Sequence, residues 1–429
     1  MNSATARETI FALSSGQPPA AIAIVRISGP DAASALTMLA GRVPSPRVAT
    51  LMTLGDVDAV LDRALVLYFP GPHSATGEDL VELHLHGGRA VVAAVERTLA
   101  VHDGLRRAEP GEFTRRAFSN GRLDLAEAEG LGDLLTAETE GQRRNAIALA
   151  DGTLSRAVRR WREQLIAAAA AVEARIDFAD EDDVPDDDGA TLDLVRPILA
   201  EIDAMLHVPP AERLRDGVRV VIAGPPNAGK STLFNALVGR EAAIATPIPG
   251  TTRDLIEFPV QLGGIAFLFI DTAGLRNTDD VVERIGVDKA TAAAASADLL
   301  LWLGDPARAP PGALRVHPRC DEPARIGVPD QCDIAVSAVT GEGMAALVAE
   351  LVSRGTKLLP REGEIGLAER QRFALVDCAE SLRLAARTPD ILIVAESLRG
   401  ARAALDRLTG DGGVEPLLDA IFGRFCIGK

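Results

Sequence analysis

The sequence predicts a multidomain α/β protein: an α+β N-terminal domain, a helical bundle, and an α/β domain with a mostly parallel sheet inserted into that bundle. Three observations predict it. The chain has 429 residues, too many for one ordinary core, so two or three domains are expected. An apolar run, Val218 to Ala223, runs into Gly224-Pro225-Pro226-Asn227-Ala228-Gly229-Lys230-Ser231 and then into a helical stretch from Thr232 to Val238. Helical periodicity lies on both sides of that segment, as in a bundle interrupted and then resumed.

Composition narrows the class. Hydrophobic residues make up 47% and aromatics only 3%, so the cores are built from Ala, Leu, Val and Ile. No apolar stretch reaches the roughly 18 residues that a membrane span needs. Met1 to Gly16 lacks a basic segment followed by a long apolar one, so no secretory signal is expected. Cys320, Cys332, Cys378 and Cys426 are scattered without C-x-x-C spacing. That argues against a structural zinc site or a disulfide framework and fits a cytoplasmic protein. The net charge is −16, which argues against a protein that coats nucleic acid non-specifically. Residues 123–214 hold much of the excess, with 21 acidic against 9 basic side chains. It centres on Asp180-Glu181-Asp182-Asp183 and Asp186-Asp187-Asp188, the pattern of a solvated loop or linker. Local contact through Arg106, Arg107, Arg115 and Arg116, or Arg156, Arg159, Arg160 and Arg162, stays open beside a plain solvated face.

Four segments follow in order. In residues 1–119, Ala21 to Ile27, Ala64 to Phe69 and Leu80 to Leu85 read as strands. Pro30 to Leu39 and Gly88 to Ala100 have helical spacing. His84 and His86 alternate and so share a face, but no third metal ligand is evident. Residues 120–214 are helical almost throughout. One apolar stripe runs through Leu123, Ala126, Leu131, Leu134 and Leu135, and a longer one from Ile147 through Trp161 to Ile176. In residues 215–357, strands are expected at 218–223, 256–261, 265–270, 298–303 and 333–336, and helices at 230–238, 283–296 and 343–353. That alternation is the pattern of a parallel sheet covered on both faces. Residues 358–429 return to helices at Glu369 to Ala386, Ile391 to Leu408 and Val414 to Phe425. If the third segment is inserted, its two ends lie close together.

The glycine loop has the spacing G-x-x-x-x-G-K-[ST] of a phosphate-binding loop. Its glycines let backbone N–H groups ring a phosphate, and the helix opening there points its positive end at the same anion. Lys230 reaches the outer phosphates and Ser231 offers its hydroxyl to magnesium. Only four of the 45 basic residues are lysines, so a chance lysine in this pattern is improbable. Thr246-Pro247-Ile248-Pro249-Gly250-Thr251-Thr252 suits a switch segment with a second magnesium hydroxyl. Asp271-Thr272-Ala273-Gly274 directly follows an apolar strand, placing a carboxylate near the magnesium and a glycine N–H near the terminal phosphate. Together these point to a GTPase rather than an ATP-using kinase. The base motif N-K-x-D is expected near Leu314 to Val316, where Pro318-Arg319-Cys320-Asp321 stands instead. Asp321 retains the carboxylate that pairs with guanine's edge, Arg319 replaces the lysine stem, and Pro318 cannot replace the asparagine. Ser337-Ala338 fits the last base-contact loop. Leu275 stands where a water-orienting glutamine serves Ras-like proteins, so that task passes elsewhere, with Glu283 a candidate.

These segments resemble the family of tRNA modification GTPases MnmE (TrmE). The resemblance rests on Asn227, Gly250 to Asp254, Asp271 to Arg276 and Val282-Glu283-Arg284-Ile285-Gly286. It extends to Ile24 to Gly29, Thr76-Gly77-Glu78-Asp79, Pro110-Gly111-Glu112-Phe113 and the final Phe425 to Lys429. The resemblance implies an N-terminal folate-binding, dimerising domain (1–119), a helical domain (120–214 and 358–429) and an inserted GTPase (215–357). It implies that Asn227, Ala228, Gly229, Lys230, Ser231, Thr232, residues 246–252 and 271–274, Asp321, Ser337 and Ala338 bind GTP. Potassium would be held by Asn227, Thr246, Ile248 and Thr251, and magnesium by Ser231 and Thr252. Glu283 would be catalytic through a bridging water. A 5-formyltetrahydrofolate or related one-carbon folate would sit on Arg26, Glu82, Arg122 and Lys429, the family usually having lysine where Arg122 stands. The implied partners are a second copy, a flavin-dependent MnmG-type protein in a heterotetramer or larger assembly, and tRNA. The implied reaction is a carboxymethylaminomethyl-type modification at carbon 5 of the wobble uridine. Cys426 lies in the tail motif without an assigned role. Two other readings stand beside this one. A GTPase switch in ribosome assembly would carry a strongly basic flank, and neither flank is basic. A non-enzymatic binding module would rest on the altered base motif alone.

Overall fold

Period-two alternation sets the first sheet. Ala23, Val25 and Ile27 are buried, whereas Ile22, Ile24 and Arg26 face the other way. In the computed structural model, residues 8–56, 59–177, 188–241, 256–271, 297–325, 327–410, 415–423 and 425–428 are described. The contacts divide the chain into two units, Met1–Gly132 with Leu149–Arg159 and Asp406–Lys429, and Asp133–Ala148 with Arg160–Leu405.

The first unit holds a six-stranded sheet of β1 (Thr9–Leu13), β2 (Ile22–Ser28), β3 (Thr50–Asp56), β4 (Ala59–Phe69), β5 (Leu80–His86) and β6 (Leu105–Arg107) in the order β3-β4-β5-β2-β1-β6. Pairing is antiparallel except between β1 and β6. Helices α1 (Ala32–Ala40) and α2 (Arg89–Ala100) bury Leu36, Val95 and Leu99 with Val25, Leu54, Val66 and Leu83 in one core. A smaller cluster on the opposite face joins Ile10, Ala12, Leu80 and Ala108 to Phe113 of α3 (Glu112–Ser119). The sequence reading found β2, β5 and both helices within two residues, and β4 begins earlier than expected. It did not find β1, β3, β6 or α3.

Helices α4 (Leu125–Thr136), α5 (Glu140–Ala150), α6 (Thr153–Asp177), α7 (Asp188–His207) and α8 (Ala211–Arg215) fill the second segment, as the apolar stripes predict. In the second unit, Trp161 is fully buried and its Nε1–H donates to Glu201 Oε2 at 2.9 Å. The second sheet is ordered β12-β11-β10-β7-β9-β8. Its strands are β7 (Val218–Ala223), β8 (Ile256–Leu262), β9 (Ile265–Asp271), β10 (Leu299–Trp302), β11 (Leu314–Pro318) and β12 (Ile334–Val336). All neighbours are parallel except the β8–β9 hairpin. Helices α9 (Lys230–Glu241) and α10 (Met344–Lys357) bury Leu233, Leu237, Leu347 and Leu351 against it. The helix expected at 283–296 lies outside the described residues.

The chain enters and leaves this α/β segment at one place. Ala211 N donates to Leu367 O at 3.1 Å, and Glu369 N to Glu212 Oε1 at 2.7 Å. Helices α11 (Glu369–Ala385), α12 (Ile391–Thr409) and α13 (Glu415–Phe422) follow. The last corrects the expectation of a helix through Phe425. Gly423 N still donates to Asp419 O, but Phe425 N turns back to Phe422 O at 3.0 Å, so the chain leaves the helix after Phe422.

Candidate nucleotide site

The phosphate loop spans the six residues between β7 and α9. Its glycines have backbone reasons. Gly224 has φ +151°, and a Cβ there would lie 3.1 Å from the Leu303 carbonyl carbon; Gly229 has φ +90°. Asn227 takes φ +58°, a left-handed conformation that asparagine accepts more readily than most residues. Ala228 is buried among Val220, Leu233 and Phe234 and anchors the loop to the core. Lys230 Nζ donates to Gly224 O at 3.0 Å and Pro225 O at 2.8 Å, so the ammonium already spans the loop. Ser231 and Thr232 are exposed on the first turn of α9. The loop thus combines turned-in backbone, a helix N-terminus, one fixed cation and a free-facing hydroxyl, which suit a polyphosphate and a hard cation.

The parallel strands bring the base-side residues to the same end of the sheet, where ligands of such sheets bind. Arg319 follows β11 with φ +58°. Cys320 N donates to Val336 O at 3.2 Å and Glu322 N to Arg319 O at 3.0 Å, fixing the turn. Asp321 is exposed. Burial, helped by the Glu342 and Asp321 charges, pushes the Cys320 thiol above its ordinary value. Ser337 is fully buried and its Oγ accepts from Thr340 N at 3.0 Å, shaping the turn beside Ala338. Asp271 ends β9 in register with Ile256. Thr246, Pro247, Ile248, Pro249, Gly250, Thr251, Thr252, Thr272, Ala273, Gly274 and Glu283 lie outside the described residues, as does Lys429.

In the first unit, Arg26 Nε donates to Glu82 Oε1 at 2.9 Å across the β2–β5 pair. His84 Nε2 approaches the other carboxylate oxygen at 3.4 Å. This group lies on the sheet face opposite α1 and α2. Leu51, Leu65, His84 and Ile24 run across that face in register, with Leu51 64% and Ile22 58% exposed. Arg122 is exposed and makes no hydrogen bond to the pair; its Cγ lies 3.2 Å from where a Gly77 Cβ would sit. His86 Nδ1 and N both contact the Asp62 carboxylate, at 2.7 and 2.8 Å. Burial raises the Asp62 carboxyl, but those hydrogen bonds outweigh it and leave it below its ordinary value. Among the described residues no group of three or more His, Cys, Asp or Glu is placed to hold a metal.

A family model described as the MnmE helical domain matches residues 125–426, and one described as the GTP-binding protein TrmE N-terminus matches residues 9–122. A tRNA modification GTPase MnmE of Rhizorhabdus wittichii is 57% identical over 432 residues, covering 99% of this chain and 98% of that protein. The protein of the same description from Novosphingobium aromaticivorans is 54% identical, covering 98% of this chain and all of that one. That from Zymomonas mobilis is 50% identical at the same coverage. The chain belongs to the tRNA modification GTPase MnmE family.

Within this MnmE-family chain, five arginines of the two clusters that the sequence left open pair with carboxylates. Arg106 pairs with Glu8 and Glu112, and Arg107 with Glu96. Arg115 pairs with Asp419, Arg116 with Glu78 and Glu112, and Arg160 with Glu201. Glu78 also accepts from Ser28 Oγ at 2.8 Å, and Ser28 and Thr76 hydroxyls meet at 2.7 Å. A cavity of about 470 Å³ opens beside this network, lined in part by Glu78, Arg106, Glu112, Arg116 and Asn120. In the sequence, Thr76 to Asp79 and Glu112 stand out only as motif residues. No spacing signal could have joined Ser28, Glu78 and Arg116, which come from three separate segments.

Proposed function

We propose that this chain hydrolyses GTP at the β7–α9 loop and uses that cycle in modifying tRNA. The observation that carries the proposal is the loop itself: Asn227 left-handed, Gly224 and Gly229 in conformations that a side chain would strain, and Lys230 fixed over the loop carbonyls. Backbone N–H groups and Lys230 hold the phosphates, and Asp321 selects the base. Ser231 and Thr252 hold magnesium. Asn227, Thr246, Ile248 and Thr251 hold potassium. The hydroxyl and amide oxygens of that set suit hard cations. When bound, the ions would supply positive charge against the developing phosphate charge; Leu275 has no polar group to orient the water. Glu283 positions the attacking water through a bridging water.

In this reading residues 1–119 serve folate binding and dimerisation, 120–214 with 358–429 form the helical domain, and 215–357 form the GTPase. Arg26 and Glu82, with Arg122 and Lys429, take 5-formyltetrahydrofolate or a related one-carbon folate. An ion pair on an open sheet face offers both an acceptor and a donor to a pterin edge. The same face, with Leu51, Leu65 and Ile22 exposed, is the surface through which two copies join. A flavin-dependent MnmG-type partner completes the assembly on tRNA, in the cytoplasm. The product is a carboxymethylaminomethyl-type group at carbon 5 of the wobble uridine. A role in ribosome assembly is not favoured, because the relatives that match this chain over nearly its whole length are described as tRNA modification GTPases.

Two measurements test it. GTP turnover is faster in potassium than in sodium at equal ionic strength; equal slow rates in both would remove the potassium mechanism. Cells lacking the chain lose the wobble modification; unchanged nucleoside content would remove the tRNA reading.

A further inference from the structure

We propose that this chain reads guanine without a protein donor to nitrogen 7 of the base, using Asp321 for selection and the Arg319 guanidinium as a stacking plate. The proposal rests on the guanine-nucleotide reading above. It starts from position 318. The N-K-x-D pattern places an asparagine there, and a side-chain amide is the group suited to donate to a purine's nitrogen 7 acceptor. This chain has Pro318, whose ring carries no donor and whose backbone has no N–H. Its place is nonetheless filled. Pro318 is buried, and its Cβ lies 3.9 Å from where a Gly229 Cβ would sit. The proline therefore keeps β11 packed on the phosphate loop while removing the polar contact.

Arg319 lies over the same glycine. Its Nε is 3.4 Å and its Cγ 3.9 Å from the Gly229 Cβ position. The side chain therefore runs along the loop, with about 40% of it still open to solvent. Its direction is set by a left-handed φ of +58°, with the backbone tied on both sides by Cys320 N to Val336 O and Glu322 N to Arg319 O. Nη1 lies 3.6 Å from Glu322 Oε1, an exposed ion pair beyond hydrogen-bond distance. A planar guanidinium stacks on a purine face, which a lysine ammonium does not. Stacking favours every base alike, so discrimination falls to Asp321, whose two carboxylate oxygens accept from guanine's ring N–H and amino group.

The test uses the full chain and measures dissociation constants for GDP, 7-deazaguanosine diphosphate, inosine diphosphate and ADP. The 7-deaza nucleotide is expected to bind within about twofold of GDP. Inosine diphosphate, lacking the amino group, is expected to bind about tenfold more weakly, the cost of one charge-assisted hydrogen bond. Pro318→Asn is expected to create a preference of several-fold for GDP over the 7-deaza nucleotide. Arg319→Ala is expected to weaken GDP and the 7-deaza nucleotide equally, by about tenfold, as loss of a stacking partner does. Arg319→Lys recovers only part of that loss. A 7-deaza nucleotide bound tenfold or more weakly than GDP by the unaltered chain overturns the proposal. So does an Arg319→Ala variant, folded by its circular dichroism, that binds GDP as tightly as the unaltered chain. ADP is the separate arm: binding equal to GDP would overturn the guanine reading itself, whatever the 7-deaza result.

Discussion

Glu112 sits between two guanidinium groups, with Arg106 Nη2 at 2.6 Å and Arg116 Nη2 at 3.1 Å from its Oε1. Burial pushes its carboxyl up, but the Arg106 hydrogen bond, the Glu109 N–H and the charges of Arg116 and Arg106 outweigh that and hold it below its ordinary value. A lowered value in the folded state means that ionised Glu112 stabilises the fold above the ordinary carboxylate range. That stabilisation is lost as pH falls through the lowered value. Glu112→Gln is therefore expected to cost roughly 1–3 kcal/mol near neutral pH, since it removes the anion shared by Arg106 and Arg116, which keep only Glu8 and Glu78. Chemical denaturation across pH checks this: the gap between variant and unaltered chain narrows below about pH 4. A constant gap would assign the loss to packing instead. Lys230→Ala is expected to lower GTP turnover by at least ~100-fold, the scale of losing a fixed charge at a phosphoryl group, measured by phosphate release. Lys230 was legible in the sequence because one local pattern contains its whole environment. The Glu112 pairings were not, because Arg106 reaches Glu112 only after the chain turns at Gly111, at φ +69°.

Between β12 and α10 the chain turns at Gly343, where an added Cβ would lie 1.9 Å from Ala335 O at φ +70°. Gly343→Ala is expected to lose more than about 2 kcal/mol through strain and clash. Urea unfolding should show a lower midpoint with an unchanged slope; an unchanged midpoint would mean that the turn relaxes freely. In the helical segment, Trp161→Phe keeps a six-membered ring but removes the fused pyrrole portion and its donor to Glu201, for an expected loss of about 1–3 kcal/mol. Trp161→Ala adds a cavity and is expected to lose about 3–5 kcal/mol. Elements with their own periodicity were legible at this scale: β7, α9 and α12 appear within a few residues of where apolar spacing put them. The three-residue β6, Leu105–Arg107, was not, because two of its residues are arginines and it exists by docking parallel on β1. Its cause lies in residues 9–11, almost a hundred positions earlier.

Over the whole molecule, a net charge of −16 sets how it meets a polyanion. Five clustered cations, Arg106, Arg107, Arg115, Arg116 and Arg160, are engaged by carboxylates and must give up a partner to displace counterions. The affinity of the isolated chain for tRNA is therefore expected to fall by no more than about tenfold between 50 and 200 mM salt. A protein making many phosphate contacts loses about 10³–10⁵ over that range. A steep salt dependence in a filter-binding titration would show that the ion pairs open on binding. The alternation of helical and α/β segments was legible because hydrophobic period changes at each boundary. The division of contacts at Gly132 and Asp406 was not, since an apolar stripe reveals that a helix face is buried but not against what. The nucleotide-binding sheet also carries a consequence at its margins. Its outer strand β8 contains Pro259, which offers no N–H to an incoming strand, and the opposite margin β12 is only three residues long. Neither edge can template a continuing ladder, so this sheet is protected from growing into intermolecular β-structure while its ligand-binding end stays open.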